Sequence, residues 1–164
     1  MALRPTPDRL RESLFNVLAP RLEGEVFLDA YAGTGSVGIE ALSRGAAHAI
    51  FVEKHAAASK IIHENQAALG LQPRATVLHS PATPMLIRRP AGIVFLDPPY
   101  PLEREYAAAL EALGAMAEPP ALVLVQHASR VKMPESSGLL RRSRVLVAGD
   151  NSVSFFVRRK SQKC

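Results

Sequence analysis

The side chains in this chain best suited to chemistry stand at Asp97-Pro98-Pro99-Tyr100, directly after the apolar run Gly92 to Leu96. A strand by itself needs neither a terminal acid nor two prolines. An exocyclic amino group on a nucleobase has use for both. Its nitrogen lone pair is delocalised into the ring, so it is a weak nucleophile. Two fixed acceptors that grip its N–H bonds draw the nitrogen toward tetrahedral geometry and aim the lone pair at an electrophile. Asp97 offers a carboxylate and Pro98 a backbone carbonyl, while Pro98 and Pro99 hold φ at about −65°. Tyr100 can stack on the base, a contact worth about 1–3 kcal/mol. Such a base must be unpaired or extruded to reach the site. The plainer explanation of the tetrapeptide is a rigid turn whose acid caps the next helix.

A second stretch, "LDAYAGTGSVGIEA", argues against that plainer explanation. Gly33, Gly35 and Gly38 have the G-x-G-x-x-G spacing after a strand and before a helix. Glu53 ends the following strand, eighteen residues past Gly35, where a carboxylate takes ribose hydroxyls. This is the pattern of an adenosine-type cofactor site. A nicotinamide or flavin loop must seat a pyrophosphate on backbone amides, and Asp29 just before the loop would repel it. An acid there suits a cation, such as the amino group of S-adenosylmethionine (SAM). The residues therefore favour SAM over NAD(P), with an NAD(P) oxidoreductase as the alternative.

Both stretches need strands to carry them. "EVFLDA", "AHAIFVE", "RATVLHS", "GIVFLD" and "ALVLVQH" read as strands, separated by helices over "VGIEALSRG", His55 to Leu69 and "EREYAAALEALGAM". Ahead of them, "RPTPDRLRESLFNVLAPRL" reads as a helix with Thr6 as N-cap and Pro7 at its first position. "LRRSRVLVAGDNSVSFFVRR" reads as two strands around a tight turn. Alternating strands and helices imply an α/β, doubly wound, mostly parallel sheet with helices on both faces and an antiparallel hairpin at its edge. Ligands in such sheets sit beyond the carboxyl ends of the strands, where strand order reverses.

With 164 residues, 48% hydrophobic and 21% charged, the chain has the size and composition of one globular domain. No apolar run reaches the length of about 20 residues that spans a bilayer. The start lacks a secretory apolar core, and a single cysteine, Cys164, suits a reducing cytoplasm. Twenty Lys and Arg against fifteen acids leave +5, in keeping with an anionic partner such as nucleic acid. Basic residues gather at Arg4, Arg9 and Arg11 and again at Arg141, Arg142, Arg144, Arg158, Arg159 and Lys160, a candidate RNA-facing surface. The five histidines lack metal-site spacing, and no G-x-S-x-G elbow points to a hydrolase.

Taken together, "RPTPDRLRESLFN" (4–16), "LDAYAGTGSVGIEALSRGA" (28–46) and "FLDPPY" (95–100) make the chain resemble the bacterial small-subunit ribosomal RNA guanine-N2 methyltransferase family of class I SAM-dependent methyltransferases. The last motif is shared with adenine-N6 DNA methyltransferases, a second enzyme alternative. A separate DNA-recognition domain does not fit within 164 residues. The resemblance implies a single domain over 1–164 with a Rossmann-like, seven-stranded sheet, a helix over the cleft within 1–22 and a hairpin over 139–160. By matching positions, Asp29, Ala32, Gly33, Thr34, Gly35, Glu53, Lys54 and Ala82 line the cofactor site. Asp97, Pro98, Pro99 and Tyr100 hold the target base, and Arg4, Thr6, Arg9 and Glu12 cover the cleft or meet RNA. The implied partner is ribosomal RNA or the assembling small subunit, for a monomeric cytoplasmic enzyme without metal or membrane. The chain departs from the family at Pro81, where an Asp or Asn often stands near adenine, which leaves that contact to Ser80 or the Ala82 amide. It departs again at Gln126-His127, where an acid is frequent.

Overall fold

A computed structural model describes residues 8–99 and 104–159, and Arg4, Thr6 and Tyr100 lie outside them, as does the expected Thr6 cap. Strands form where short apolar runs occur: β1 (Val26–Asp29), β2 (His48–Glu53), β3 (Ala75–His79), β4 (Ile93–Leu96) and β5 (Leu122–Ala128). Then come β6 (Ser136–Ser137), β7 (Leu140–Ala148) and β8 (Asn151–Arg158). The helices are α1 (Asp8–Leu22), α2 (Ser36–Ser43), α3 (Ala56–Ala68), α4 (Ala82–Arg88) and α5 (Arg104–Gly114).

The described strands form one sheet in the order β3-β2-β1-β4-β5-β8-β7-β6. β1 to β5 pair in parallel, and β8, β7 and β6 add antiparallel. Strand order reverses between β1 and β4, which is where a crevice opens beyond the carboxyl ends. The hairpin turn at Gly149-Asp150 uses Gly149 at φ 60°, the left-handed geometry that two-residue hairpin loops favour.

Strand alternation divides the core in two. Phe27, Phe51, Ile93, Phe95, Leu122 and Leu124 face α1, α2 and α3 in one cluster. Leu28, Val52, Val94, Leu96, Val123 and Val125 face α4 and α5 in the other. Amphipathic α1 contributes Leu10, Leu14, Phe15, Leu18 and Leu22, all buried, each worth about 1.5–3 kcal/mol. The same alternation assigns Asp29 and Glu53 to the α1–α3 side of the sheet, each two residues past a core phenylalanine of that side, Phe27 and Phe51.

Two elements differ from expectation. The sheet has an eighth strand, the two-residue β6, too short and too polar to be read from pattern. The segment between β3 and β4 holds helix α4, which the sequence reading passed over. Pro81 before it and Pro84 inside it hid the periodicity, but Pro84 stands in the first turn of this seven-residue helix, where a missing N–H is tolerated.

Candidate active site

The glycine loop is built as its spacing requires. Gly33 and Gly35 take φ of 58° and 84°, a region that costs other residues dearly. A Cβ on Gly38 would run into the Phe51 ring, so its absence lets α2 lie against β2. Gly35 caps α2 and turns the chain there, its N–H donating to the Ala32 carbonyl at 2.8 Å. Ala32 in turn donates to the Val52 carbonyl at 2.9 Å, which stitches the loop to the end of β2.

Two carboxylates hold this loop from below. Glu53, buried at the end of β2, accepts the Gly33 N–H on Oε1 at 2.9 Å and the His55 N–H on Oε2 at 2.8 Å. Each oxygen keeps a lone pair for a further donor, as a ribose diol requires. Asp29, buried at the end of β1, accepts the Gly38 N–H on Oδ2 at 3.2 Å. That N–H belongs to the first turn of α2, one of the donors a helix start leaves unpaired. Oδ1 carries no hydrogen bond among the described residues.

Asp97 follows Leu96, whose partner in the adjacent strand is Val125. Its carboxyl carries no hydrogen bond among the described residues, and burial pushes its pKa up to about 7. Burial does the same to Asp29, also to about 7, against the pull of the Gly38 N–H, with Asp97 and Glu53 adding repulsion. The three acids stand at the ends of the adjacent strands β2, β1 and β4, with Asp29 in register with Phe51 and Phe95, each two residues before Glu53 and Asp97. Burial makes the charged form of Asp29 costly, and an ammonium or sulfonium group nearby would favour it. The donor set thus fits SAM: a diol acceptor in Glu53, a cation acceptor in Asp29, and a glycine loop without a phosphate's need for cations.

The other expected residues divide. Ala82 opens α4 after Pro81, while the Ser80 hydroxyl is turned to the Pro81 carbonyl at 2.9 Å. Thr34 is tied through its carbonyl to Asn65 Nδ2 at 3.3 Å. Lys54 is exposed, with its carbonyl near His79 Nε2 at 3.0 Å. Pro98 is buried and Pro99 exposed. Arg9 and Glu12 are exposed on α1, and no hydrogen bond or ion pair among the described residues joins them to the site.

The hairpin arginines lie elsewhere. Val157 pairs with Leu122 and Leu140 with Arg158, so Arg141, Arg158 and Arg159 stand at the amino ends of the parallel strands. At about 3.3 Å per residue, they are roughly 15 Å along the sheet from Asp97. Arg9 and Arg11 lie on α1, which packs against β7 and β8 of the hairpin.

Two features escaped the sequence reading. The Tyr31 hydroxyl donates to Glu105 Oε2 at 2.7 Å across 74 residues, a separation no local pattern reveals. His127, one of the residues that departs from the family, is buried with Nε2 at 2.7 Å from Ser154 Oγ and its ring edge-on to Tyr106. Burial lowers its pKa, so it acts as a neutral packing group. Beside it, Gln126 Oε1 is buried without a hydrogen-bond partner among the described residues.

Similarity to known proteins agrees with this geometry. The family described as "Conserved hypothetical protein 95" matches residues 1–157. "Putative rRNA methyltransferase YlbH" of Bacillus subtilis (strain 168) is 36% identical over 163 residues, 95% of this chain and 88% of its own length. "Ribosomal RNA small subunit methyltransferase D" of Escherichia coli (strain K12) is 46% identical over 100 residues, 60% of this chain and 50% of that protein. The solved structure titled "Putative methyltransferase yhhF from Escherichia coli" superposes with a TM-score of 0.83 at 31% identity, covering 98% of this chain and 92% of its own. An acid-lined glycine loop beside an Asp-Pro-Pro strand end, on a sheet shared with these proteins, places the chain: it belongs to this family of class I SAM-dependent methyltransferases, whose named members include ribosomal RNA methyltransferases.

Proposed function

We propose that the protein transfers a methyl group from SAM to the exocyclic N2 amino group of a guanine in small-subunit ribosomal RNA. Methyl transfer to ribosomal RNA is the coarser part of this reading and rests on the family and its named relatives. The guanine N2 acceptor is the finer part. The observation that carries an exocyclic amino group as acceptor is Asp97, a half-buried carboxyl with no hydrogen bond among the described residues, next to Pro98. The choice of guanine is supported by the resemblance to the small-subunit ribosomal RNA methyltransferases. When bound, SAM supplies an electrophilic methyl on its sulfonium. Glu53 accepts from the ribose hydroxyls, and Asp29 balances the cationic end of the cofactor. Asp97 and the Pro98 carbonyl accept the two N2 hydrogens and fix the nitrogen for in-line attack. A carboxyl with a pKa near 7 can hold the proton that the methylated nitrogen then releases. Tyr100, outside the described residues, is proposed to stack on the base.

Labelled methyl transfer from SAM to RNA purified from cells lacking this gene, followed by nucleoside mass spectrometry, tests cofactor, polymer and acceptor atom together. N2-methylguanosine in small-subunit RNA is the expected product. Label in DNA adenine, or none in RNA, would overturn the assignment.

A further inference from the structure

Gln126 stands near the carboxyl end of β5, one strand over from Asp97. Leu96 pairs with Val125, so the residues that follow them, Asp97 and Gln126, are neighbours across parallel strands about 4.8 Å apart. Alternation turns Gln126 to the α1–α3 side of the sheet, since Leu124, two residues earlier, belongs to the core cluster of that side. Asp97 likewise stands two residues past Phe95 of the same cluster. Gln126 is only 6% exposed, and its Oε1 has no hydrogen-bond partner among the described residues.

Packing among the described residues does not call for an amide here. Leu124 on the same side and Val153, the register partner in β8, are both buried and apolar, and neither side chain can donate a hydrogen bond. Buried amide oxygens are nearly always paired, and an unpaired one destabilises the folded chain. A methionine would fill a similar volume without that penalty. An orphan acceptor kept next to the Asp97 carboxyl is accounted for by a donor that arrives from outside the chain. Guanine presents such a donor. Its N1–H lies beside the C2 amino group on the Watson–Crick edge, the edge by which an extruded base is read, whereas adenine has a bare lone pair at N1.

We propose that Gln126 selects the base: its Oε1 accepts the N1–H of the target guanine while Asp97 and the Pro98 carbonyl hold the N2 group. This deepens the function proposed above and rests on it. Adenine in the same place would set its N1 lone pair against the amide oxygen and leave both without a donor. A site built this way discriminates strongly, because the wrong base leaves buried polar groups unpaired. Gln126 takes no part in moving the methyl group. It decides which ring is held for the transfer.

The test compares wild type, Gln126→Met and Gln126→Glu by kcat/KM for RNA, calorimetric SAM affinity and melting temperature. The substrate is small-subunit RNA lacking this methyl group, ligated to carry guanine or 2-aminopurine at the nucleotide that the wild type methylates. 2-Aminopurine keeps the C2 amino group and lacks the N1–H. Wild type should prefer the guanine RNA by about 10–100-fold, the scale of one buried group left unpaired. Gln126→Met should lose about that factor on guanine, lose little on 2-aminopurine, and melt no lower than wild type. Gln126→Glu keeps an acceptor and should recover most of the guanine preference. SAM affinity should stay the same in all three. Equal use of both RNAs by the wild type, or a full guanine preference in Gln126→Met, would overturn the proposal. So would a lower melting temperature with matching losses on both RNAs, which would make Gln126 a packing residue. Absence of methyl transfer to the guanine RNA by the wild type would instead sink the functional reading on which the proposal rests.

Discussion

The two ends of the parallel strands are built on opposite electrostatic plans. At the carboxyl ends stand buried Asp29 and Glu53 and half-buried Asp97, and no ion pair reaches them among the described residues. At the amino ends, Arg141, Arg158 and Arg159 are exposed, with Arg158 Nε bonded only to the Pro119 carbonyl at 2.9 Å among the described residues. Buried acids without cations are costly to ionise, and such strain persists where a ligand completes the site. Exposed arginines cost nothing to keep charged, and attract phosphates from a distance in a salt-dependent way. One end carries the acids proposed to act in the chemistry, the other carries exposed arginines alongside Glu23 and Glu25.

The largest effect that separates the ends is expected at Asp97. Asp97→Ala should lower kcat by roughly 10²–10³, the scale of one lost electrostatic partner in a transition state, with SAM affinity largely kept. A variant that turns over at close to the wild-type rate would remove Asp97 from the chemistry.

Glu53 should act on the cofactor instead. Glu53→Ala loses the acceptor of both the Gly33 and His55 N–H groups and the proposed ribose contact. SAM affinity should fall by about 10–100-fold, as for one or two hydrogen bonds to a charged group. Calorimetry reads this directly, and unaltered SAM affinity would contradict the role.

The acids should also impose a pH dependence that the arginines do not. With Asp97 near 7, the rate should climb about tenfold per pH unit below 7 and level off above it, if the carboxylate is the working form. Stability should move the other way. Asp29 and Asp97 are raised from 3.8 to about 7 in the folded state, so the native chain holds more protons than the unfolded chain between those values. Their contribution to stability is complete below about pH 4 and lost as pH rises through 7. Asp97→Asn should accordingly melt higher than wild type at pH 8 and no higher at pH 4, and a melting scan at the two pH values decides it.

The smallest effect is expected at the far end. Changing Arg141, Arg158 and Arg159 to Gln should weaken RNA binding a few-fold and flatten its salt dependence by about one unit of slope per lost phosphate contact. kcat at saturating RNA should not change. A fall in kcat of the size seen for Asp97 would erase the distinction between the two ends.

Most of the cofactor half was readable because its signals are local. Gly33 and Gly35 report a backbone that only glycine adopts easily, and Glu53 falls at a spacing set by one strand-helix-strand unit. The half proposed to hold the base has a local signal for the same reason, since Asp97, Pro98 and Pro99 are consecutive. α4 was missed because Pro84 reads as a helix breaker unless its place in the first turn is known. β6 was missed because two serines carry no pattern, and pairing with Leu140 and Arg141 alone makes them a strand.

Local chemistry in the chain was enough to establish a glycine turn, an acid at each of three strand ends, and a doubly wound sheet to carry them. Which of these meet was decided only by folding. The reversal of strand order between β1 and β4 puts Asp97 beside Asp29, and their shared burial raises both carboxyls. The antiparallel return of β8 sends Arg158 to the opposite end of the sheet from the site. The bond from Tyr31 to Glu105 exists because the loop after β1 and the start of α5 converge there. Contacts of that kind depend on distances in space between residues far apart in the chain, and a linear pattern does not contain those distances.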